Sequence, residues 1–407
     1  MQKSDFNRSF RRANFRIHTW IGLHVCIALG LIFFTGTLLM FSPELKTLTQ
    51  PSLWISPSDK NVPVGALYDT SKASFPDRRI DSIGSQPRPW LGRPVYTVGK
   101  QGPATVHLNP HTGEVLGLQT TGKLNLRNLI RKLHDSLLVP FNIANVLVNA
   151  LSFVVLALVA TGLVTYRRFW TGFFKPVSKR ARGLPRQSAL HRRYAIWAAP
   201  FLIVSALASS IFFLNAIGFK ARPGTPPVVQ NAGAVGLPQD FDGIKLNSLL
   251  ASCKKEVPGF VESGVSFPKP DKTLVRINGY DKSVGKIFGV TTCYANPATG
   301  AVAGLVRASD GNRMTQIKSL AIAVHYGSFG GWFSIVPWVL FGAASTYVAI
   351  SGARVFAART VVKAGATDKT RANKGTVSLL IQGLGYFKWL YLAWFLGAVA
   401  LLIRDLL

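Results

Sequence analysis

Residues 14–41 read NFRIHTWIGLHVCIALGLIFFTGTLLMF, and the fold of the chain turns on them. From Ile21 to Phe41 there are 21 residues without a Lys, Arg, Asp or Glu. At ~1.5 Å per helical residue that is enough to cross a hydrocarbon core of ~30 Å. Arg8, Arg11, Arg12 and Arg16 precede the run, so its N-terminal end is expected on the cytoplasmic side. His18 and His24 stand at the entry. An ionisable side chain there is either a headgroup-level residue or a functional one.

The rest of the chain repeats this pattern. Of its 407 residues 48% are hydrophobic and only 16% charged, with a mean hydropathy of +0.25. Further apolar runs occupy residues 143–166, 194–219, 332–356 and 386–403, beside a first run at 17–41. The net charge of +30 would suit a nucleic-acid binder, but its distribution does not. Segments 1–16, 167–193 and 357–385 flank apolar runs and are strongly basic, with Asp5 and Asp368 as their only acids. That is the positive-inside pattern, and such clusters also favour anionic lipid headgroups. A helical membrane bundle follows, with about five spans and the N-terminus inside. The long polar segments 42–140 and 220–325 then fall outside. Lys388 lies near the start of the fifth run, where it can snorkel.

The outer segments read as two small α+β domains. Each contains strand-like runs around the phrase N-P-x-T-G-x-V-x-G, at 109–117 and again at 296–304. A phrase repeated in order marks an internal two-fold repeat. Residues 222–238, RPGTPPVVQNAGAVGLP, read as an extended linker. Cys253 and Cys293 share the second outer segment, where a disulfide is chemically permitted. Cys26 reads as a small packing residue within the first span.

The repeat extends into the membrane through histidine. His18 precedes the first span and His191 the third; His134 precedes the second and His325 the fourth. Five of the seven histidines lie within a turn or two of a membrane entry, although the outer segments hold about half of the residues. Neutral imidazole suits iron, and two axial histidines from different helices can clamp a haem within a bundle. Grouped by depth, His18 (or His24) pairs with His191 at the inner face, and His134 with His325 at the outer face. Two haems so placed would carry electrons across the bilayer. Arg131 and Lys132, beside His134, and Arg192 and Arg193, beside His191, are candidates for haem propionate contact. His18 and His24 are six residues apart, about 600° around a helix, so they point to different faces.

Other sites are not indicated. His107 and His111 flank a Pro-containing turn and read as exposed loop residues, with no carboxylate or cysteine cluster to complete a zinc site. No P-loop, dinucleotide fingerprint or nucleophile elbow occurs, so the chain offers no flavin or nicotinamide site of its own.

At these residues the sequence resembles the PepSY-associated transmembrane family of bacterial inner-membrane proteins. The matching pieces are His18-x-Trp20-Ile21-Gly22-Leu23 with Thr35-Gly36, and Leu133-His134-x-Ser136-Leu137 with Thr161-Gly162. His191 with its span, and His325-Tyr326-Gly327 with Phe329-Gly330, complete the set. The N-P-x-T-G turns look like the D-x-x-T-G-x-V hairpin of PepSY modules, with Asn for Asp. The third span departs from the pattern: Ala206-Leu207-Ala208-Ser209 stands where a Thr-Gly step is common.

The resemblance favours His18 as the ligand, with His24 in reserve, and makes the outer domains periplasmic and PepSY-like. It implies b-type haem, two in such a chain, and reduction of ferric siderophores or other Fe(III) chelates at the periplasmic face. The donor would be a separate quinol or flavoprotein reductase. Arg88, Arg93, Lys123 and Arg127 are expected to attract an anionic chelate. The competing expectation is a non-redox membrane tether whose outer domains bind a partner protein or inhibit a protease.

Overall fold

The structure is a computed structural model that describes residues 3–48, 50–120, 126–139, 143–166, 169–174, 176–227, 236–269, 272–285, 290–363 and 376–406. Its elements in chain order begin with helices α1 (Lys3–Leu39), α2 (Ser42–Thr47) and α3 (Val64–Ser74). Strands β1 (Arg79–Ile83), β2 (Arg93–Gly99), β3 (Gly102–Leu108) and β4 (Val115–Thr120) follow. Next come helices α4 (Leu126–Ser136), α5 (Ile143–Thr165), α6 (Phe169–Gly172), α7 (Gly183–Ala216) and α8 (Gly243–Glu256). Strands β5 (Phe260–Ser266), β6 (Val275–Asp281), β7 (Val290–Ala295) and β8 (Val302–Arg307) precede α9 (Arg313–His325) and α10 (Trp332–Lys363). Two further helices, α11 (Thr376–Gly383) and α12 (Phe387–Leu406), end the described chain. Two compact units result. One is helical (Met1–Ser42, Leu126–Gly218, Ala321–Leu407) and the other holds the strands (Pro43–Asn125, Phe219–Leu320).

In the helical unit, α1 and α7 each pack against both α5 and α10, so four long helices close on one another. Leu23, Cys26 and Leu29 recur at a spacing of three along α1 and form its buried stripe. Leu29, Val155, Ala198, Leu202 and Ala206 meet at the centre. Ser152 and Ser210 share a 2.9 Å hydrogen bond between α5 and α7, the interhelical polar contact that membrane bundles use in place of a hydrophobic drive. Phe34, Leu147, Phe153, Leu340 and Ile350 remain exposed on the outer faces. Helices apolar all round need a non-aqueous neighbour. Among the described residues four helices contain stretches long and apolar enough to cross a membrane: Phe6–Leu39, Ile143–Thr165, Gly183–Ala216 and Trp332–Phe356. The fifth apolar run does form a helix, but its described apolar part, Phe387–Ala400, is shorter than these.

The strand unit differs from the expected pair of domains. Each polar segment does supply a helix followed by a four-stranded antiparallel meander, but the two meanders join. The eight strands form one sheet in the order β4-β3-β2-β1-β5-β6-β7-β8. The join is antiparallel, with Ser82 opposite Ser266 and Ile83 opposite Val265. It covers two edges that separate meanders would leave with unpaired backbone groups. A single core then draws Leu67, Val95 and Val106 from one half and Leu249, Val265 and Ile277 from the other.

The repeat is visible in detail. The β1–β2 and β5–β6 pairs each carry an irregularity near the join, and the β3–β4 and β7–β8 pairs each carry one beside the repeated turn. In that turn Asn109 Oδ1 accepts from the His111 amide and Asn296 Oδ1 from the Ala298 amide, both at 2.9 Å. Asn supplies the same acceptor as Asp in such an Asx turn. Gly113 and Gly300 close the turns with φ of 82° and 75°, the left-handed region open to glycine at no steric cost. Where α3 meets α8, the Gly65 amide donates to Asn247 Oδ1 at 2.9 Å and the Gly243 amide to Asp69 Oδ1 at 2.8 Å.

Two sequence expectations change, and a pairing that the sequence permitted is present. His107 is not a loop residue: it lies in β3 and is only 4% exposed, while His111 sits in the turn with Nδ1 2.9 Å from the Lys60 carbonyl. The described part of the 222–238 linker is bound to its surroundings, because the Arg222 amide donates to Asn312 Oδ1 and Pro227 packs over Gly304. Residues 228–235 of that linker lie outside the described residues. Cys253 and Cys293 form a disulfide between α8 and β7, with Cα atoms 6.1 Å apart.

Candidate functional site

His18 leaves α1 to reach across to α5. Its Nδ1 lies 3.0 Å from the Leu158 carbonyl oxygen and 3.1 Å from Thr161 Oγ1. A carbonyl can only accept, so Nδ1 carries the proton. The Thr161 hydroxyl proton is already directed at the Ala157 carbonyl, 2.6 Å away, which leaves that oxygen to accept from His18 too. The lone pair of the neutral ring is therefore on Nε2.

His191 repeats the arrangement from α7 onto α10, with Nδ1 3.1 Å from both the Val348 carbonyl oxygen and Ser351 Oγ. His134 repeats it from α4 onto α1, 3.0 Å from the Ile32 carbonyl and 3.5 Å from Thr35 Oγ1. In all three cases the receiving helix offers a carbonyl at one position, a hydroxyl three residues on and a glycine after that. The glycine makes room. A Cβ on Gly162 would lie 3.2 Å from His18 Cε1; on Gly36, 2.8 Å from His134 Cε1; on Gly352, 2.7 Å from His191 Cε1. Hydrogen-bonded Nδ1 atoms fix the tautomer and orientation of ligating histidines.

The rings gather in two places. His18 and His191 line one cavity of about 430 Å³, within the range of small-molecule and cofactor sites. Its walls are mainly apolar, with Leu29, Phe33, Val155, Ile196 and Leu202 among them. The charged residues of its lining are Arg192 and Arg359. At the other place the His134 and His325 rings lie with centroids 6.1 Å apart, tilted by 46°. His325 differs from the other three: its Nδ1 is buried without a hydrogen-bond partner. Its ring rests edge-on against Phe212 at 5.3 Å.

Two indoles fix the ends of the short helices that carry this second pair. Trp394 Nε1 donates to the Leu137 carbonyl at 2.7 Å, just past His134. Trp338 Nε1 donates to the Val324 carbonyl at 2.8 Å, just before His325. The chain leaves α4 through Leu137 and Leu138 at φ 51° and 59°, a left-handed conformation costing roughly 1–2 kcal/mol for a residue with a Cβ. After His325 the equivalent bend falls on Gly327, at φ 56°.

His24 is not part of either group. Its Nδ1 bonds its own helix at the Trp20 carbonyl, 2.7 Å away. Its ring lies 4.5 Å from Trp20 and 4.2 Å from Phe387, centroid to centroid. Of the basic residues singled out in sequence, Arg192 lines the cavity, whereas Arg193 lies over the Trp197 ring at 4.5 Å. Arg131 pairs with Asp135 at 3.0 Å, and Lys132 is exposed. Arg359 was not singled out, because it stands beyond the fourth apolar run. Helix α10 continues through it and brings it to the cavity, 3.5 Å from Ser188 Oγ.

The basic residues expected to attract an anionic chelate have other partners. Arg88 is paired with Glu44 at 2.9 Å and Arg93 with Glu262 at 2.7 Å, all four side chains 15% exposed or less. Arg127 bonds Ser42 Oγ at 2.8 Å. Lys123 lies outside the described residues. Among the described residues no three His, Cys, Asp or Glu side chains cluster to hold a metal ion. His107 is the remaining isolated histidine. Burial first, then the nearby Lys46 charge, lowers its pKa to about 4, so it is neutral at pH 7.

A family model described as the PepSY-associated TM region matches residues 15–359 of the chain. No curated protein matches it.

Proposed function

The chain belongs to the PepSY-associated transmembrane family, and from that premise we propose that it is a b-type dihaem electron carrier that reduces ferric complexes at the periplasmic face of a bacterial inner membrane. The observation that carries the reading is the shared receptor of His18, His134 and His191. It turns each Nδ1–H toward a helix carbonyl and leaves Nε2 as a metal donor.

His18 and His191 would hold one haem and His134 and His325 the other. When bound, haem with two imidazole ligands supplies a one-electron iron couple suited to electron transfer. The residues present fit such a group. The His134 and His325 rings lie with centroids 6.1 Å apart, near enough for one metal to be held by both. The cavity walls at the His18/His191 site are mainly apolar, while Arg192 and Arg359 would offer positive charge to propionate carboxylates. Along α1 the step from His18 to the Thr35-Gly36 receptor of His134 is 17 residues, about 25 Å at ~1.5 Å per residue.

The basic segments 1–16, 167–193 and 357–385 support an inward N-terminus. They favour a fifth span through α12 and an outward strand unit. The Cys253–Cys293 disulfide agrees with an oxidising compartment for that unit. Electrons would enter from a quinol or flavoprotein reductase at the inner face. A ferric siderophore suits the outer end as acceptor, because hard oxygen donors hold Fe(III) better than Fe(II), so one added electron loosens the complex.

The test is reoxidation. Purified protein reduced with one equivalent of dithionite per haem is mixed anaerobically with a ferric hydroxamate and a Fe(II) trap. Haem reoxidation matched by trapped Fe(II) is expected. A protein that binds haem and stays reduced would exclude this acceptor class, and tolerance of His134→Ala and His325→Ala in iron uptake would favour the tether.

A further inference from the structure

The fourth histidine lacks the receptor that the other three share, and the repeat shows why. Thr35 and Gly36 follow His18 by 17 and 18 residues. The same offsets from His191 lead to Ala208 and Ser209. Ala208 has no hydroxyl to accept from an imidazole. Ser209 places a Cβ where Gly36 has none, and at Gly36 that atom would stand 2.8 Å from the His134 ring. His325 accordingly has a buried Nδ1 with no partner and leans on Phe212 instead.

We infer that the departure at Ala208-Ser209 sets the direction of electron flow, by making the His134/His325 site the more easily reduced of the two. The inference rests on the haem reading above. An Nδ1–H that donates to a carbonyl and a hydroxyl pushes electron density toward Nε2, raising ligand basicity and stabilising the ferric state. The His18/His191 site has two such donors. The His134/His325 site has one, on His134. An iron held there would be less stabilised when oxidised, so its potential would be higher. Electrons entering at His18/His191 then run downhill to His134/His325. Ala208 and Ser209 act through His325 and are positioning residues.

Spectroelectrochemical titration of the purified holoprotein tests this, comparing wild type with Ala208→Thr/Ser209→Gly, which restores the first span's own step. Two waves are expected in wild type. The double variant should lower the upper wave by about tenfold in the one-electron equilibrium, ~59 mV, and leave the lower wave in place. Thr161→Ala, at the other site, should raise the lower wave alone. Coincident waves in wild type, or an upper wave unmoved in the double variant while Thr161→Ala moves the lower one, would overturn the inference but not the haem reading. A protein that takes up no haem would overturn both. Imidazole ¹⁵N shifts of the haem-free protein give a second readout. His18, His134 and His191 should show a hydrogen-bonded Nδ1–H and His325 should not; a hydrogen-bonded Nδ1–H on His325 would contradict the asymmetry.

Discussion

His191 on α7 and Gly352 on α10 are in contact: the ring carbon Cε1 lies 2.7 Å from where a Cβ on the glycine would stand. Contacts that close do not occur between real side chains, so any other residue at 352 must displace the ring. Gly352→Leu is expected to remove the His18/His191 chromophore and leave the other. The haem-to-protein ratio of the variant should fall to about half of wild type, with membrane insertion intact. An unchanged ratio would mean that His191 is not a ligand.

The strand unit has its own close contact. A Cβ on Gly65 would lie 2.0 Å from the Gly243 carbonyl oxygen, and one on Gly243 would lie 2.3 Å from the Gly65 carbonyl. Backbone cannot yield as a flexible side chain does, so Gly65→Ala and Gly243→Ala should each destabilise the unit by about 1–3 kcal/mol. The double variant should cost less than the sum, because both changes push the same two helices apart. Thermal melts of the singles and the double measure it.

Burial holds the folded-state pKa of His107 near 4 against an ordinary 6.5. The unfolded chain therefore takes up the proton first. The stability this neutral ring contributes is present above pH 6.5 and is lost as pH falls from there toward 4. The full shift corresponds to about 3 kcal/mol. His107→Phe should flatten the pH dependence of the melting temperature over that window, and a profile identical to wild type would contradict the assignment.

The disulfide closes a loop with a sequence separation of 40. On the chain-entropy estimate its removal costs ~4 kcal/mol. Cys253→Ala/Cys293→Ala should lower the melting temperature of the strand unit while leaving the haem spectrum unchanged. Loss of haem with the disulfide would contradict a purely structural role.

Four of the five expected apolar spans, and the meeting of the histidines in two places, were legible because both follow from local signals. Twenty-one residues without a formal charge behind four arginines announce a membrane helix, and His18, His134, His191 and His325 hold matching places around it. The Thr-Gly steps were visible only as a family mark. Their use became plain when the helices were packed, since Leu158 receives His18 from 140 residues away. The joined sheet was not legible, because the Gly65–Asn247 bond spans 182 residues and no local pattern encodes it. Arg359 was missed because a charged residue past an apolar run reads as a loop anchor. His107 was missed because the turn beside it masked the strand and because alternation sets it on the face opposite Val106 and Leu108, whereas β3 is buried on both faces from Ala104 to Leu108.

The most direct test is the dithionite-reduced minus air-oxidised visible spectrum of detergent-purified protein, taken with a haem-to-protein ratio. Two b-type haems per chain in wild type, and one in His191→Ala, are expected if the four histidines pair as proposed. A colourless protein from haem-replete cells would contradict the electron-transfer function outright.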